Sequence, residues 1–297
     1  MNEQSYSIII PTYNRVEKLK ICLDSVLTYS PKEVDVFVIN DGSSGETKKY
    51  LNILKNDRVH PIHHETNKGV SKARNTGITH ANGDILLFTD DDCVVSKDWF
   101  EELTRPFTNK DVSFVFGKTT YVSDTYVGYF PEKIVEVRQW PGAGNIAFRK
   151  EVFDKVGGFD SAFETYHNED TEMAVRAVSN NFLWKYTDSA TCYHQKSFWS
   201  AKTLLASAKN PSVWPVLKKL YPKCYLTFGG PVRRQVILPR DYLFFLFFPL
   251  FLPFLLLRYL CLSKRNLKLF FLKWPIVLFL RRYYIWKESL KNRTTLF

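Results

Sequence analysis

The chain has 297 residues, 45% hydrophobic and 24% charged, which supports one well-packed main domain with an appendage and speaks against disorder. Its five cysteines (Cys22, Cys93, Cys192, Cys224, Cys261) are scattered, odd in number and without metal-ligand spacing, so a reducing compartment suits them better than a disulfide framework. The net charge of +11 is unevenly placed: residues 1–200 carry 23 Lys and Arg against 28 Asp and Glu, whereas residues 201–297 carry 18 against 2. Only the last third is basic, and two partners could want such a surface, nucleic acid or an anionic membrane.

Met1–Ser7 is polar and the apolar run after it is short, so no secretory leader is expected. Tyr6–Ile10 reads as a buried strand ended by Pro11. Val16, Leu19, Leu23, Val26 and Leu27 recur at helical spacing and predict a one-faced helix. Val34–Ile39 is a second strand, closed by the turn formers Asn40-Asp41-Gly42-Ser43-Ser44. A third strand is expected at Val59–His63, a helix over Val70–His80, and a fourth strand over Asp84–Thr89 after the Asn82-Gly83 turn. Strands alternating with helices at this interval predict an α/β fold with a mostly parallel, Rossmann-like sheet, whose ligands bind at the carboxyl ends of the strands. Three of those ends carry polar clusters: Pro11-Thr12-Tyr13-Asn14, Asn40-Asp41-Gly42-Ser43 and Asp90-Asp91-Asp92.

The acidic triplet is the strongest local signal. Three successive carboxylates repel one another, and no strand or turn requires them. They become sensible around a divalent cation, which wants oxygen ligands; the plain alternative is a solvated acidic turn.

Seven segments in series carry a family resemblance over about residues 5–195. Ser7–Arg15 resembles the opening strand of the family-2 glycosyltransferases, which have the GT-A fold, and Asn40–Ser44 resembles their second nucleotide-binding turn. Asn67–Ile78 is similar to the family's glycine- and arginine-containing helix, and Phe88-Thr89-Asp90-Asp91-Asp92 to its Asp-x-Asp element. Gly144–Arg149, Val156–Asp160 and Asn168–Glu172 resemble the acceptor-side elements.

The resemblance implies a GT-A-type sheet and an inverting transfer of a sugar from a nucleotide-diphosphate donor to an acceptor hydroxyl. It implies roles residue by residue. Pro11 and Tyr13 would line the nucleobase and ribose pocket, and Asp41 would accept a hydrogen bond from the base. Arg74 would approach the nucleotide and Asp91 the ribose. Asp92 would hold Mg²⁺ or Mn²⁺, with Asp90 supporting it and His194 at the metal and diphosphate. Gly144 and Asn145 would frame the acceptor side. Asp170 would be the catalytic base, with Glu169 beside it. Local readings stay open beside these: Asp41 could close a turn, Arg74 could be a solvated helix residue, and Asp170 could simply favour a helix N-terminus. His60, His63 and His64 read as ordinary strand and surface residues. A sugar-nucleotidyltransferase or a catalytically silent protein of the same fold is the alternative function.

From residue 200 the composition turns basic and aromatic. Tyr242–Leu257 is uncharged and rich in Phe and Leu but shorter than the roughly 20 residues needed to cross a bilayer. Leu267–Leu280 is a second apolar stretch, and arginines and lysines surround both. An interfacial helix pair or shallow hairpin on the cytoplasmic membrane face is expected, near a lipid-linked or polysaccharide acceptor, with no nucleic-acid partner. Two tilted spanning helices and a buried helical hairpin remain alternatives. The expected organisation is a catalytic domain over 1–200, a basic connection over 201–235 and a membrane-associated helical segment over 236–297.

Overall fold

Three β-branched isoleucines in succession, Ile8-Ile9-Ile10, favour extended backbone buried on both faces. In the computed structural model, which describes residues 4–123, 134–138, 140–195, 201–228, 267–294 and a few positions between 247 and 257, they form the middle of β1 (Tyr6–Thr12). All three are fully buried. Parallel partners flank β1: β2 (Asp35–Asn40), which in turn pairs with β3 (Val59–His63), and β4 (Ile85–Phe88). In register, Thr12 lies opposite Asn40 and Ile9 opposite Phe88, so the polar segments after these strands emerge along one edge.

The connecting helices bury one face each. In α1 (Val16–Tyr29), Leu19, Leu23 and Val26 point into the core, as their spacing predicts; Cys22 joins them, and Val16 and Leu27 are partly buried. Burying a leucine or valine side chain is worth about 1.5–3 kcal/mol, so this stripe fixes the helix on the sheet. After α2 (Glu46–Ile53), α3 (Val70–His80) lies so close to β1 that a Cβ at Gly77 would collide with the Ile9 side chain.

Beyond β4 the sheet departs from the expected mostly parallel order and becomes mixed. The chain continues through β5 (Cys93–Val95), α4 (Trp99–Thr104), β6 (Val112–Ser123), β7 (Ile134–Arg138), β8 (Ile146–Arg149), α5 (Lys150–Val156), α6 (Glu169–Ser179) and β9 (Leu183–His194). The strand order is β3-β2-β1-β4-β8-β6-β9-β5, with β7 beside β6. β8 runs antiparallel to both β4 and β6, and β5 antiparallel to β9, while β6 and β9 are parallel. The reversed direction of β8 is pinned at both ends by contacts with β4. The Gly144 carbonyl just before it accepts the Thr89 hydroxyl at the end of β4, whereas the Lys150 amide just after it donates to Asp84 at the start. The strand therefore begins where β4 finishes.

Two further features steer the chain towards the edge that carries the polar segments. Phe88, Phe148, Phe153 and Phe159 pack as a ring cluster directly behind Thr89-Asp90. Between β6 and β9 the register jumps from Gly117↔Thr187 to Lys118↔Thr191, a bulge that sets Asp188–Ala190 outside the ladder. Cys22, Cys93 and Cys192 are buried free thiols.

The chain divides into two compact units. The first holds the sheet just described except the last two residues of β6 and the first two of β7. The second contains α7 (Ala201–Ser207), α8 (Val213–Leu220) and α9 (Leu267–Asn292), packed around Val213, Trp214, Leu217, Val277 and Ile285. Leu267–Leu280 is the first half of α9. The apolar stretches Tyr242–Leu257 and Tyr259–Leu262 lie largely outside the described residues. Among the described residues, no helix is long and apolar enough to cross a membrane.

Candidate active site

The edge where β1, β2 and β4 end gathers the acidic groups. Asp91 is buried beside β1, and its Oδ2 accepts the Thr12 hydroxyl at 2.7 Å. Arg15, at the start of α1, donates Nη1 to Asp91 Oδ1 at 3.2 Å and to Asp92 Oδ2 at 3.1 Å. Lys18 Nζ stands 3.4 Å from the same Asp92 oxygen. On its other side, Asp92 Oδ1 lies 3.2 Å from His194 Nε2, because β5 pairs with β9 and sets Cys93 opposite His194. Burial pushes the Asp91 carboxyl up to about 6, helped by the charges of Asp92 and Asp90 and opposed by Arg15 and Thr12.

Asp90 points elsewhere. Arg74 on α3 donates Nη2 to Asp90 Oδ1 and Nη1 to Glu169 Oε1, both at 2.8 Å. Burial disfavours the Arg74 charge, but Asp90, Glu169 and Asp170 outweigh it and hold the guanidinium above its ordinary pKa. Arg74 is thus a buried cation between carboxylates from two distant stretches, not a solvated helix residue. The loop before β8 makes a second link. A Cβ at Gly144 would stand 3.2 Å from Asp90 Oδ2, and one at Gly142 3.6 Å from Asp170 Oδ2. Between them, the Ala143 amide donates to Asp170 Oδ2 at 3.2 Å.

Glu169 and Asp170 open α6, where negative charge favours the helix dipole. The Asp170 carboxyl accepts the Thr171 amide, yet it is pushed up to about 7, first by burial and then by the Glu169 charge, with Arg74 opposing. It can therefore exchange a proton close to neutral pH.

The nucleotide-side residues sit around Asp41. Its Oδ1 accepts the Lys68 amide at 2.9 Å and stands 2.7 Å from His64 Nδ1; its Oδ2 accepts the Gly69 amide at 2.9 Å. Its own amide donates to the Thr12 carbonyl; Tyr13, next in sequence, is exposed, while Pro11 is buried within β1. Asn145 is committed to the scaffold. Its side-chain oxygen accepts the Trp99 indole at 2.8 Å, and its nitrogen donates to the Lys118 and Ala190 carbonyls at the bulge. Of the acceptor-side pair, Gly144 alone lies against the carboxylates.

Sequence reasoning overlooked four side chains here. Arg15 and Lys18 lie three apart on the first turn of α1, directly after the Pro11–Asn14 cluster, and that spacing was the available signal. His64 follows β3 at the same sheet edge and is buried against Asp41 rather than on the surface. Glu164 accepts the Ser71 amide at the start of α3, a contact across 93 positions that no local pattern announces.

Among the described residues, no three His, Cys, Asp or Glu side chains are grouped for a metal. Asp92 and His194 form a two-residue donor set, a hard carboxylate oxygen with an imidazole nitrogen. This fits a divalent cation that takes its remaining ligands from substrate phosphates and water.

The curled mixed sheet, with carboxylates at its central edge, defines a GT-A-type glycosyltransferase fold. It resembles the mannosyltransferase PcManGT of Pyrobaculum calidifontis, solved with GDP-Man and Mn²⁺ (TM-score 0.59, 13% identity, 99% of this chain and 88% of that one). GalNAc-T7, solved with UDP, GalNAc and Mn²⁺, is also similar (TM-score 0.56, 16% identity, 78% and 53%). The family model for glycosyl transferase family 2 matches residues 7–172, and the chain belongs to that family. Glycosyltransferase GlyA of Streptococcus pneumoniae is 30% identical over 166 residues, 55% of this chain and 22% of that protein. Glycosyltransferase AglE of Haloferax volcanii is 29% identical over 167 residues, 52% of this chain and 55% of that protein. The chain thus spans about a fifth and about half of these relatives.

Proposed function

We propose that this glycosyltransferase is inverting and metal-dependent, moving a sugar from a nucleoside diphosphate donor to an acceptor hydroxyl with Asp170 as base. The observation that carries this reading is the double link between the two acidic stretches, through Arg74 and through Gly142–Gly144. It gives one site two chemically different ends. At one end, Arg15 and Lys18 bring positive charge to where a diphosphate would leave. At the other, Asp170 takes the acceptor proton as the acceptor oxygen bonds to the anomeric carbon and the bond to diphosphate breaks. A single displacement inverts that carbon and needs no covalent protein intermediate.

A divalent ion held by Asp92 and His194, Mn²⁺ or Mg²⁺, would offset negative charge growing on the leaving phosphate oxygens. Two structural neighbours solved with Mn²⁺ support that choice. Asp90 and Asp91 position the donor from the β4 end, with Tyr13 and Asp41 on the nucleobase side and Gly144 on the acceptor side.

The acceptor is a lipid-linked or polysaccharide precursor reached at the cytoplasmic membrane face. Residues 1–200 form the catalytic part, 201–235 a basic connection, and 236–297 the membrane-associated part. Supporting this, the last third carries nearly all its charge as Lys and Arg. Phe247, Leu250, Phe254 and Leu257 are exposed at helical spacing.

Two measurements test the proposal. Donor hydrolysis by the full chain, screened over nucleotide sugars with Mn²⁺, should vanish in Asp170→Asn while nucleotide binding persists. Turnover unaffected by that change would remove Asp170 as base. The full chain should sediment with anionic vesicles and not with neutral ones; failure to bind either would end the membrane assignment.

A further inference from the structure

His64 has a side chain only 7% exposed and stands between two polar groups. Nδ1 lies 2.7 Å from Asp41 Oδ1 and Nε2 lies 2.9 Å from the Thr76 hydroxyl. An ionised carboxylate can only accept, so Nδ1 carries a proton and donates to Asp41. The Thr76 hydroxyl, which can donate or accept, partners Nε2 and holds the ring against Asp41.

An ionised carboxylate offers about four acceptor positions, two on each oxygen. Asp41 Oδ1 spends both, on His64 Nδ1 and the Lys68 amide. Oδ2 spends one, on the Gly69 amide, and keeps one. The backbone beside Asp41 is closely packed: a Cβ at Gly42 would collide with the Thr66 and Asn67 backbone. Among the described residues, then, Asp41 has a single acceptor position left for a ligand.

We propose that His64 is a specificity-positioning residue: by filling Oδ1 it leaves Asp41 one acceptor position, which selects a base with a single imide N–H, uracil or thymine, over guanine. This rests on the reading above that the donor is a nucleoside diphosphate sugar. Guanine presents N1–H and a 2-amino N–H side by side, and that pair suits a carboxylate with one free position on each oxygen. Against Asp41 one of the two stays unpaired in a buried place, which weakens binding on the order of tenfold. Adenine and cytosine offer amino hydrogens, less acidic than an imide N–H flanked by two carbonyls, so they are weaker donors to the remaining position.

The test is calorimetric titration of the full chain with UDP, dTDP, GDP, ADP and CDP, each with Mn²⁺. UDP or dTDP should bind roughly tenfold or more tighter than GDP, and the UDP and dTDP arms separate the two pyrimidines. In His64→Leu, which frees Oδ1, the preference over GDP should shrink towards unity. His64→Asn, whose amide nitrogen can replace Nδ1, should keep it; a ratio of affinities is insensitive to a partial loss of folded protein. GDP binding as tightly as both pyrimidine nucleotides, or an unchanged ratio in His64→Leu, overturns this proposal and leaves the glycosyl-transfer reading standing. Binding of no nucleoside diphosphate to the native chain would overturn that reading as well.

Discussion

Arg74 Nη1 donates to Glu169 Oε1 at 2.8 Å across 95 positions of sequence, while its Nη2 holds Asp90 at the same distance. The residue is 3% exposed, so its charge is held almost entirely by those carboxylates. The pair explains how α3, β4 and α6 present one site although their residues are scattered along the chain.

Removing that cation leaves two carboxylates facing each other without compensation. Breaking a buried ion pair from one side costs about 3–5 kcal/mol. Arg74→Ala should therefore lower the unfolding free energy by that order in urea titrations at pH 7.5. A loss below about 1 kcal/mol would mean that water already screens the group.

The raised carboxyl at Asp170 fixes a pH dependence. In the folded chain it titrates at about 7, against an ordinary 3.8, so between these values the fold keeps a proton that the unfolded chain has released. Stability should fall as pH rises through that window, and Asp91, raised to about 6, contributes in the same direction lower down. Asp170→Asn should flatten the slope nearest neutrality. Turnover runs the opposite way, since a base must be ionised, and should climb to a plateau above about pH 7. An acid limb centred near 4 in the rate profile would point to a different base.

At the other end of the site, His194→Ala should weaken Mn²⁺-dependent nucleotide binding on the order of tenfold or more, because one of two protein ligands is lost. Asp92→Ala should abolish the dependence. Titrating nucleotide with and without Mn²⁺ measures both, and a variant of either residue with native Mn²⁺ response would move the ion elsewhere.

Gly42 and Gly45 both have positive φ, +75° and +66°, but only Gly42 has backbone where a Cβ would go. A non-glycine residue in such a conformation costs about 1–3 kcal/mol. Gly42→Ala should cost more than Gly45→Ala in thermal unfolding, and should also weaken nucleotide binding by displacing Asp41. Equal losses would show that the Thr66–Asn67 loop yields freely.

The parallel half of the sheet was legible because its signals are local. Ile8–Ile10 and Ile85–Phe88 are continuous apolar runs, and α1 repeats its apolar residues at helical spacing. The acidic ends of the strands were legible for the same reason. What escaped depends on contacts between distant segments. Nothing near His64 marks it as Asp41's partner, and nothing in Ile146–Arg149 gives the direction in which that strand enters the sheet. The Asn145 amide bonds Trp99, Lys118 and Ala190, partners that no pattern around Gly144-Asn145 announces. A single polar letter in sequence does not say whether it faces a ligand or the backbone.

The three residues set outside the ladder at Asp188–Ala190 uncouple the first half of β9 from the second. Beyond them pairing resumes at Lys118↔Thr191 and runs on to Tyr121↔His194, while Cys93 pairs with the same histidine from the other side. These pairs, and not the length of the excursion, decide which way the His194 imidazole points. Length can therefore vary at this point without turning the histidine away from Asp92.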